Sequence, residues 1–302
     1  MIALRLQGGL GNQLFQFAFG YEASRAAGRE LVLDTRLLQK IGAHAGYELD
    51  RLGVEVRHDP PEVQQAFSLR RLWWLERLPR PVRSTLGYLE EPSLEQAKRF
   101  AHSVLLIKGY WQSSSIDAGA TSVIVDGLSR AARGLKQSDE EMIRICAQEN
   151  AVAVHARRGD YISNKKVRAL FGPCEVSYFE SGMKLMRARL DQPLFFVFSD
   201  DPPWAQAVFS GYSDVRIVSA VETGAKSAVR DLCLMSTCKH FVLSNSSLSW
   251  WAAHLSAHTR SGGPSEVVYP SPWFDAPALS GISGDLPKQA WTPMPKRGSH
   301  VQ

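Results

Sequence analysis

The chain has 302 residues, 44% of them hydrophobic, with a formal net charge of +5. That is about the length at which one core stops growing and chains divide into two domains. A charge this mild is too weak for a protein built on nucleic-acid binding; it suits an enzyme that takes an anionic nucleotide and rests on an anionic membrane surface, or a soluble protein with surplus arginine.

The opening Met1–Gly9 has no basic stretch followed by an apolar one, so no signal peptide is expected. No apolar run approaches the roughly 18–20 residues of a membrane-spanning helix. Cys146, Cys174, Cys233 and Cys238 form no CxxC pair, and His240 alone does not complete a zinc site beside Cys233 and Cys238. Four reduced structural thiols and a cytoplasmic location are expected, with peripheral contact to the inner face of the membrane as an addition.

In chain order, a strand over Ile2–Leu6 leads through Gly8, Gly9 and Gly11 into a helix from Gln13 to about Ala27, closed by Gly28. A strand over Glu30–Asp34 completes a βαβ opening. Residues 59–100 are rich in Pro, Arg and Trp, and read either as helix with inward aromatics and solvated arginines or as an acceptor- or membrane-facing surface. Val104–Tyr110 reads as a strand. Ser138 with Glu141 predicts a capping box opening a helix to about Asn150.

The order then restarts. Strands are expected at Ala151–His155, Leu194–Ser199, Val215–Val218 and His240–Ser244, with helices at Val176–Leu190, after Pro202-Pro203, at Ala228–Ser236 and at Leu248–Leu255. The pattern predicts two α/β domains, 1–135 and 136–275, followed by a tail over 276–302 that packs back on the body.

Four motifs carry chemistry. Gly8-Gly9-Leu10-Gly11-Asn12-Gln13 is a glycine turn entering a helix N-terminus, where backbone N–H groups are open to a ligand. An NAD or FAD fingerprint is a competing reading, with Asp34 placed as the ribose acid. Leu14 stands where the third glycine would be, so close helix–strand packing is obstructed there.

His155-Ala-Arg157-Arg158-Gly-Asp160 leaves the end of a strand, where paired guanidiniums match diphosphate oxygens; its bland reading is an Arg158–Asp160 ion pair. A kinase catalytic loop fails on the Asp160–Asn164 spacing. Asp200 and Asp201 follow a very apolar strand, as a ribose or guanine ligand, a helix cap, or two members of a metal site lacking a third. Ser244-Asn-Ser-Ser247 opens a helix as a phosphate cradle or a plain N-cap, and Trp250 and Trp251 read as core.

LQGGLGNQLFQFAFG, VHARRGD, FVFSDD, DLCLMSTCKHFVLSNSSLSWWAA and a closing Tyr-Pro-x-Pro-Trp273 with Trp291 come in one order. Together they resemble the bacterial α-1,2-fucosyltransferases over nearly the whole chain, residues 55–100 least. The HxRRxD element is shared with α-1,6 and protein O-fucosyltransferases; the glycine-Asn-Gln opening and SNSSLSWW point to α-1,2.

The resemblance implies a GT-B-like α/β fold, two Rossmann-like domains facing a cleft. It implies inverting, metal-independent transfer from GDP-fucose to the 2-hydroxyl of a galactose-containing glycan, as in O-antigen synthesis. By motif position Arg157 holds the diphosphate, Asp201 or Asp200 the nucleoside, and Ser246 and Ser247 a phosphate. Asn12 and His155 belong to the reacting centre, and Gly11, Arg158, Asp160 and Asp231 to the substrate site. The alternatives are a catalytically silent nucleotide- or glycan-binding protein and an NAD- or FAD-dependent oxidoreductase.

Overall fold

The strands of this chain are nearly unbroken apolar runs, the pattern of strands covered on both faces. Ala151–Ala156 and Ile2–Arg5 are buried at every position. The computed structural model describes residues 1–38, 46–147, 150–218, 225–260, 264–279 and 285–297. In it these runs pair in parallel throughout, in two sheets that belong to two compact units, Met1–Arg130 and Ala131–Gln302.

The first unit opens with β1 (Ile2–Arg5), α1 (Leu10–Ala27) and β2 (Leu31–Asp34). α1 starts at Leu10 rather than Gln13, with Gly9 as its N-cap, so Gly11 and Asn12 lie in its first turn. It ends as expected on Gly28, whose φ of 62° is the left-handed conformation that glycine adopts without strain. Leu14, Phe15 and Phe17 are buried, each contributing roughly 1.5–3 kcal/mol of apolar transfer.

The close helix–strand approach that Leu14 blocks at its own position is made at Gly20, where a Cβ would come within 2.9 Å of Leu4 Cδ2. Asp34 is wholly buried between Arg5 at 3.1 Å and Arg36 at 2.7 Å. Burial would push its carboxyl up, but those guanidiniums hold it below the ordinary value, and none of it is open to a ribose.

Three short helices follow, α2 (Pro61–Ala66), α3 (Leu69–Leu75) and α4 (Arg80–Thr85). Then come β3 (Tyr88–Glu90), α5 (Leu94–Arg99) and β4 (Leu105–Lys108), giving the sheet order β2-β1-β4-β3. The aromatics of this stretch do not all pack inward. A seven-residue helix buries one stripe, which Leu72 and Leu75 take against Val63, Phe67 and Tyr88; Trp73 and Trp74 stay exposed.

α6 (Ala118–Arg133) leads to the second unit and α7 (Gln137–Cys146). The capping box expected at Ser138 is not formed: α7 is capped at Lys136, which leaves Ser138 inside the helix. Its end at Cys146 also falls short of Asn150, residues 148–149 lying outside the described ones. A capping box does form at Ser93 and Gln96.

Then come β5 (Ala151–Ala156), α8 (Gly159–Ser163), α9 (Lys165–Phe171), α10 (Val176–Arg189), β6 (Leu194–Ser199), α11 (Pro202–Phe209), β7 (Val215–Ile217), α12 (Ala225–Thr237), β8 (His240–Val242), α13 (Ser247–Thr259), β9 (Val267–Ser271) and β10 (Thr292–Pro295). The order β10-β9-β8-β5-β6-β7 is, counted from β5, the Rossmann order 3-2-1-4-5-6 read from the other edge. β10 comes from the tail segment and carries Pro293 and Pro295, which an edge strand tolerates.

Candidate functional site

In a Rossmann sheet the chain runs outward from the first strand in one direction and resumes beside it in the other. The crevice beyond the carboxyl ends at that reversal is where such folds bind ligands. Here the reversal lies between β5 and β8, and the two segments leaving those strands are His155–Asp160 and Ser244–Ser247. One hydrogen bond ties them together, His155 Nδ1 to Ser244 Oγ at 2.9 Å. Burial lowers the His155 pKa to about 4, so the imidazole is neutral near pH 7.

Arg157 is clamped by two carboxylates, Nη2 on Asp160 at 2.7 Å and Nη1 on Asp200 at 3.0 Å. Burial works against its charge, but Asp200 and Asp160 prevail and raise its pKa. One of its five N–H groups is thereby hydrogen-bonded and a second nitrogen is ion-paired, and the planar fork is fixed in direction.

Arg158 does not pair with Asp160, as the bland reading had it. Its Nε donates to Asp201 at 3.0 Å and its guanidinium lies 4.1 Å from the Trp204 ring centroid. The i,i+3 spacing across the start of α8 favours Arg157 for Asp160. Asp201 caps α11 through Trp204 N at 3.2 Å, the expected role for one of the two acids. Asp200 accepts from the N–H groups of Arg158 at 2.7 Å and Gly159 at 3.1 Å. A Cβ on Gly159 would stand 2.7 Å from Asp200 Oδ2, so this close approach requires glycine.

On the β8 side, Ser246 is the N-cap of α13 but makes no side-chain cap hydrogen bond. Among the described residues the first-turn N–H groups of this 13-residue helix have no capping side chain, the arrangement that suits an anion. Asn245 holds the segment in place, its amide donating to the carbonyls of Phe171 at 2.6 Å, Gly172 at 3.0 Å and Trp273 at 3.0 Å. Tyr161 donates to Asn245 O at 2.9 Å and lies beneath Arg157, 5.8 Å from its guanidinium. Trp250 and Trp251 are fully buried core.

Beyond β9 a cavity of about 710 Å³ is lined by Tyr269, Trp273, Asp275, Lys288 and Trp291 among others. Asp231 lies on α12 beside Arg230, 3.5 Å away, and Arg230 in turn pairs with Asp139 of α7 at 2.8 Å. All four cysteines are buried and unbridged. Among the described residues no helix is long and apolar enough to cross a membrane.

In the first unit the Gly8–Asn12 turn follows β1. Gly8 has a φ of 78°, and a Cβ there would meet Asn12 Nδ2 at 2.5 Å, so glycine makes room for that amide. Asn12 Oδ1 accepts from Gln112 Nε2 at 2.7 Å, which fixes the amide's orientation. Gln13 latches the turn to the segment after it: its amide nitrogen donates to the carbonyls of Gly8 at 3.0 Å and Gly46 at 2.9 Å, and its oxygen accepts from Glu48 N at 3.0 Å.

Glu48 is 1% exposed, and its Oε1 has no hydrogen-bond partner among the described residues. Burial raises its pKa from 4.5 to about 7, the Leu10 N–H and Arg51 offsetting this only in part. Between those two values the unfolded chain has lost a proton that the folded chain keeps, so stability falls as pH rises through the window, by about 3 kcal/mol in all. Glu48→Gln should flatten that dependence, gaining on the wild type from pH 5 to pH 8 in thermal unfolding. A variant that keeps the wild-type slope would contradict the assignment.

The structure thus brings together Arg157, Arg158, Asp160, Asp200 and Asp201, and joins His155 to the segment bearing Ser246 and Ser247. Sequence reasoning missed Tyr161 and Asn245, which stand inside or beside the quoted motifs, and Glu48, which has no local signal.

Comparison with known proteins gives the family of the chain. The family model described as Glycosyl transferase family 11 matches residues 83–292, well over half of the chain. An Escherichia coli alpha-1,2-colitosyltransferase is 27% identical over 288 residues, 93% of this chain and 94% of that protein. A Mus musculus galactoside 2-alpha-L-fucosyltransferase is 23% identical over 300 residues, 95% of this chain and 75% of its own. A variant of Arabidopsis thaliana FUT1 in complex with GDP superposes with a TM-score of 0.51 at 12% identity, over 89% of this chain and 70% of that one. The fold is α/β and GT-B-like, and with the family match the chain belongs to glycosyl transferase family 11.

Proposed function

We propose that the protein transfers L-fucose from GDP-fucose to the 2-hydroxyl of a galactose-containing glycan with inversion at the anomeric carbon. The observation that carries this reading is the clamped Arg157 joined, through His155 and Ser244, to the uncapped N-terminus of α13 at the sheet's reversal point.

In the proposed step the acceptor oxygen bonds to the anomeric carbon as the bond to the β-phosphate oxygen breaks. The electron pair leaves with GDP, and the acceptor proton passes to a base. Negative charge grows on the departing diphosphate, so a fixed guanidinium and helix N–H groups stabilise the transition state more than the ground state. His155, buried and bonded to Ser244, is a positioning residue in this scheme. Asn12 is assigned to orienting the acceptor hydroxyl.

A second reading is favoured by the colitosyltransferase relative: colitose is fucose without its 3-hydroxyl, and a donor site for one is close to a site for the other. Both readings are tested by incubating the protein with GDP-fucose or GDP-colitose, a galactose-terminated acceptor and excess EDTA. The expected result is GDP release from GDP-fucose and an α-linked product at the 2-hydroxyl by NMR. Faster turnover of GDP-colitose would favour the second reading. Activity lost to EDTA and restored by Mn²⁺ or Mg²⁺ would overturn the metal-independent step, and no GDP release from either donor would overturn both.

A further inference from the structure

α3 turns Leu72 and Leu75 into the core and leaves its other face bare. Leu69 is 37% exposed, Trp73 51% and Trp74 58%, the two indoles meeting edge-to-face at 5.1 Å. On α4, Arg83 is buried, while Val82 and the C-cap residue Leu86 are exposed. Five of the eight large apolar side chains that stand exposed among the described residues thus fall between positions 69 and 86. Adjacent exposed tryptophans are a poor way to face water, and a cluster of this kind marks an interaction surface.

The charge of the same stretch selects the partner. Residues 67–91 hold Arg70, Arg71, Arg77, Arg80 and Arg83 against Glu76, Glu90 and Glu91, a net +2. Glu76 is already engaged by Lys108 at 3.0 Å, the Tyr88 hydroxyl at 3.1 Å and Arg5 at 3.4 Å. Arg83 is held by Glu90 at 3.0 Å, which Arg80 reaches only at 3.9 Å. Arg70, Arg71, Arg77 and Arg80 are exposed. Arg77 stacks 3.3 Å from the Trp73 ring centroid, so its charge rides with the apolar face.

We infer that α3 and α4 dock the protein on an anionic lipid surface. Indole rings settle at the boundary between headgroups and acyl chains, and arginines keep their charge in the headgroup layer while their stems cover apolar surface. A second copy of the chain is the poorer occupant, because a self-complementary contact would set this arginine cluster against its own image. The inference rests on α3 and α4 alone and is independent of the proposed transfer reaction.

The test uses the full chain with vesicles of phosphatidylcholine alone and of phosphatidylcholine mixed with phosphatidylglycerol. The protein should sediment with the mixed vesicles, release as salt is raised, and show a blue shift of tryptophan emission on binding. Each arginine near an anionic surface contributes about a fivefold factor in partitioning. Arg70→Glu with Arg71→Glu should therefore cost more than about tenfold, and Trp73→Ser with Trp74→Ser should remove the blue shift. All four positions are exposed, and unchanged thermal unfolding and circular dichroism would show that the variants are folded.

Three outcomes would overturn the inference. These are failure of the wild type to bind the mixed vesicles, variants that bind as it does, and a concentration-dependent dimer broken by Trp73→Ser in place of vesicle binding.

Discussion

Arg157→Ala should lower kcat by on the order of 10²–10³-fold, the usual cost of removing one fixed electrostatic stabiliser, and Arg158→Ala should cost less. The geometry separates two adjacent, chemically identical residues. Arg157 is gripped at two of its nitrogens by Asp160 and Asp200, which aims the remaining N–H groups and leaves them free for a diphosphate in the proposed site. Removing it also leaves those two carboxylates uncompensated beside an incoming anion, so the loss includes a repulsion. Arg158 has its Nε on Asp201 and its face on Trp204, the setting of a side chain that braces α11.

Arg157→Lys should recover only part of the activity, because an ammonium cannot span two carboxylates and a phosphate as a planar fork does. Steady-state kinetics with GDP-fucose checks all three variants. Near-normal turnover in either Arg157 variant would move the leaving-group site elsewhere.

The parts of the fold that were legible in the sequence are those set by local pattern. The apolar runs at β5 and β6 announce strands covered on both faces, and Gly28 stops α1 because glycine accepts its left-handed φ without strain. Asp201 before Pro202-Pro203 reads as a cap and is one.

What could not be read is set by tertiary context. β3 is three residues long between short helices, too brief for any period to show. Asn245 owes its importance to carbonyls at Phe171, Gly172 and Trp273, which the fold alone brings to it. Glu48 looks like an ordinary surface acid until burial against the start of α1 is known. Of the two readings open for residues 59–100, inward aromatics fail for the α3 tryptophans, because Leu72 and Leu75 had already filled the one stripe that so short a helix can bury.

Asn12→Ala carries the second large effect. Gly8 leaves room for its amide and Gln112 fixes its oxygen, so the side chain is positioned before any substrate arrives. On the proposed reading it orients the acceptor hydroxyl, and misplacement of a reacting group costs on the order of 10²-fold. Transfer should fall by about that factor, whereas affinity for GDP, assigned to Arg157 and the start of α13, should hardly change.

A dinucleotide-binding protein would behave in the opposite way, with its nucleotide seated on the Gly8–Asn12 turn itself. The deciding measurement is calorimetric titration of GDP into wild type and Asn12→Ala, with transfer assayed on the same preparations. The account predicts matched GDP affinities and a collapsed transfer rate. A large loss of GDP affinity in an Asn12→Ala protein that is folded by circular dichroism would contradict it.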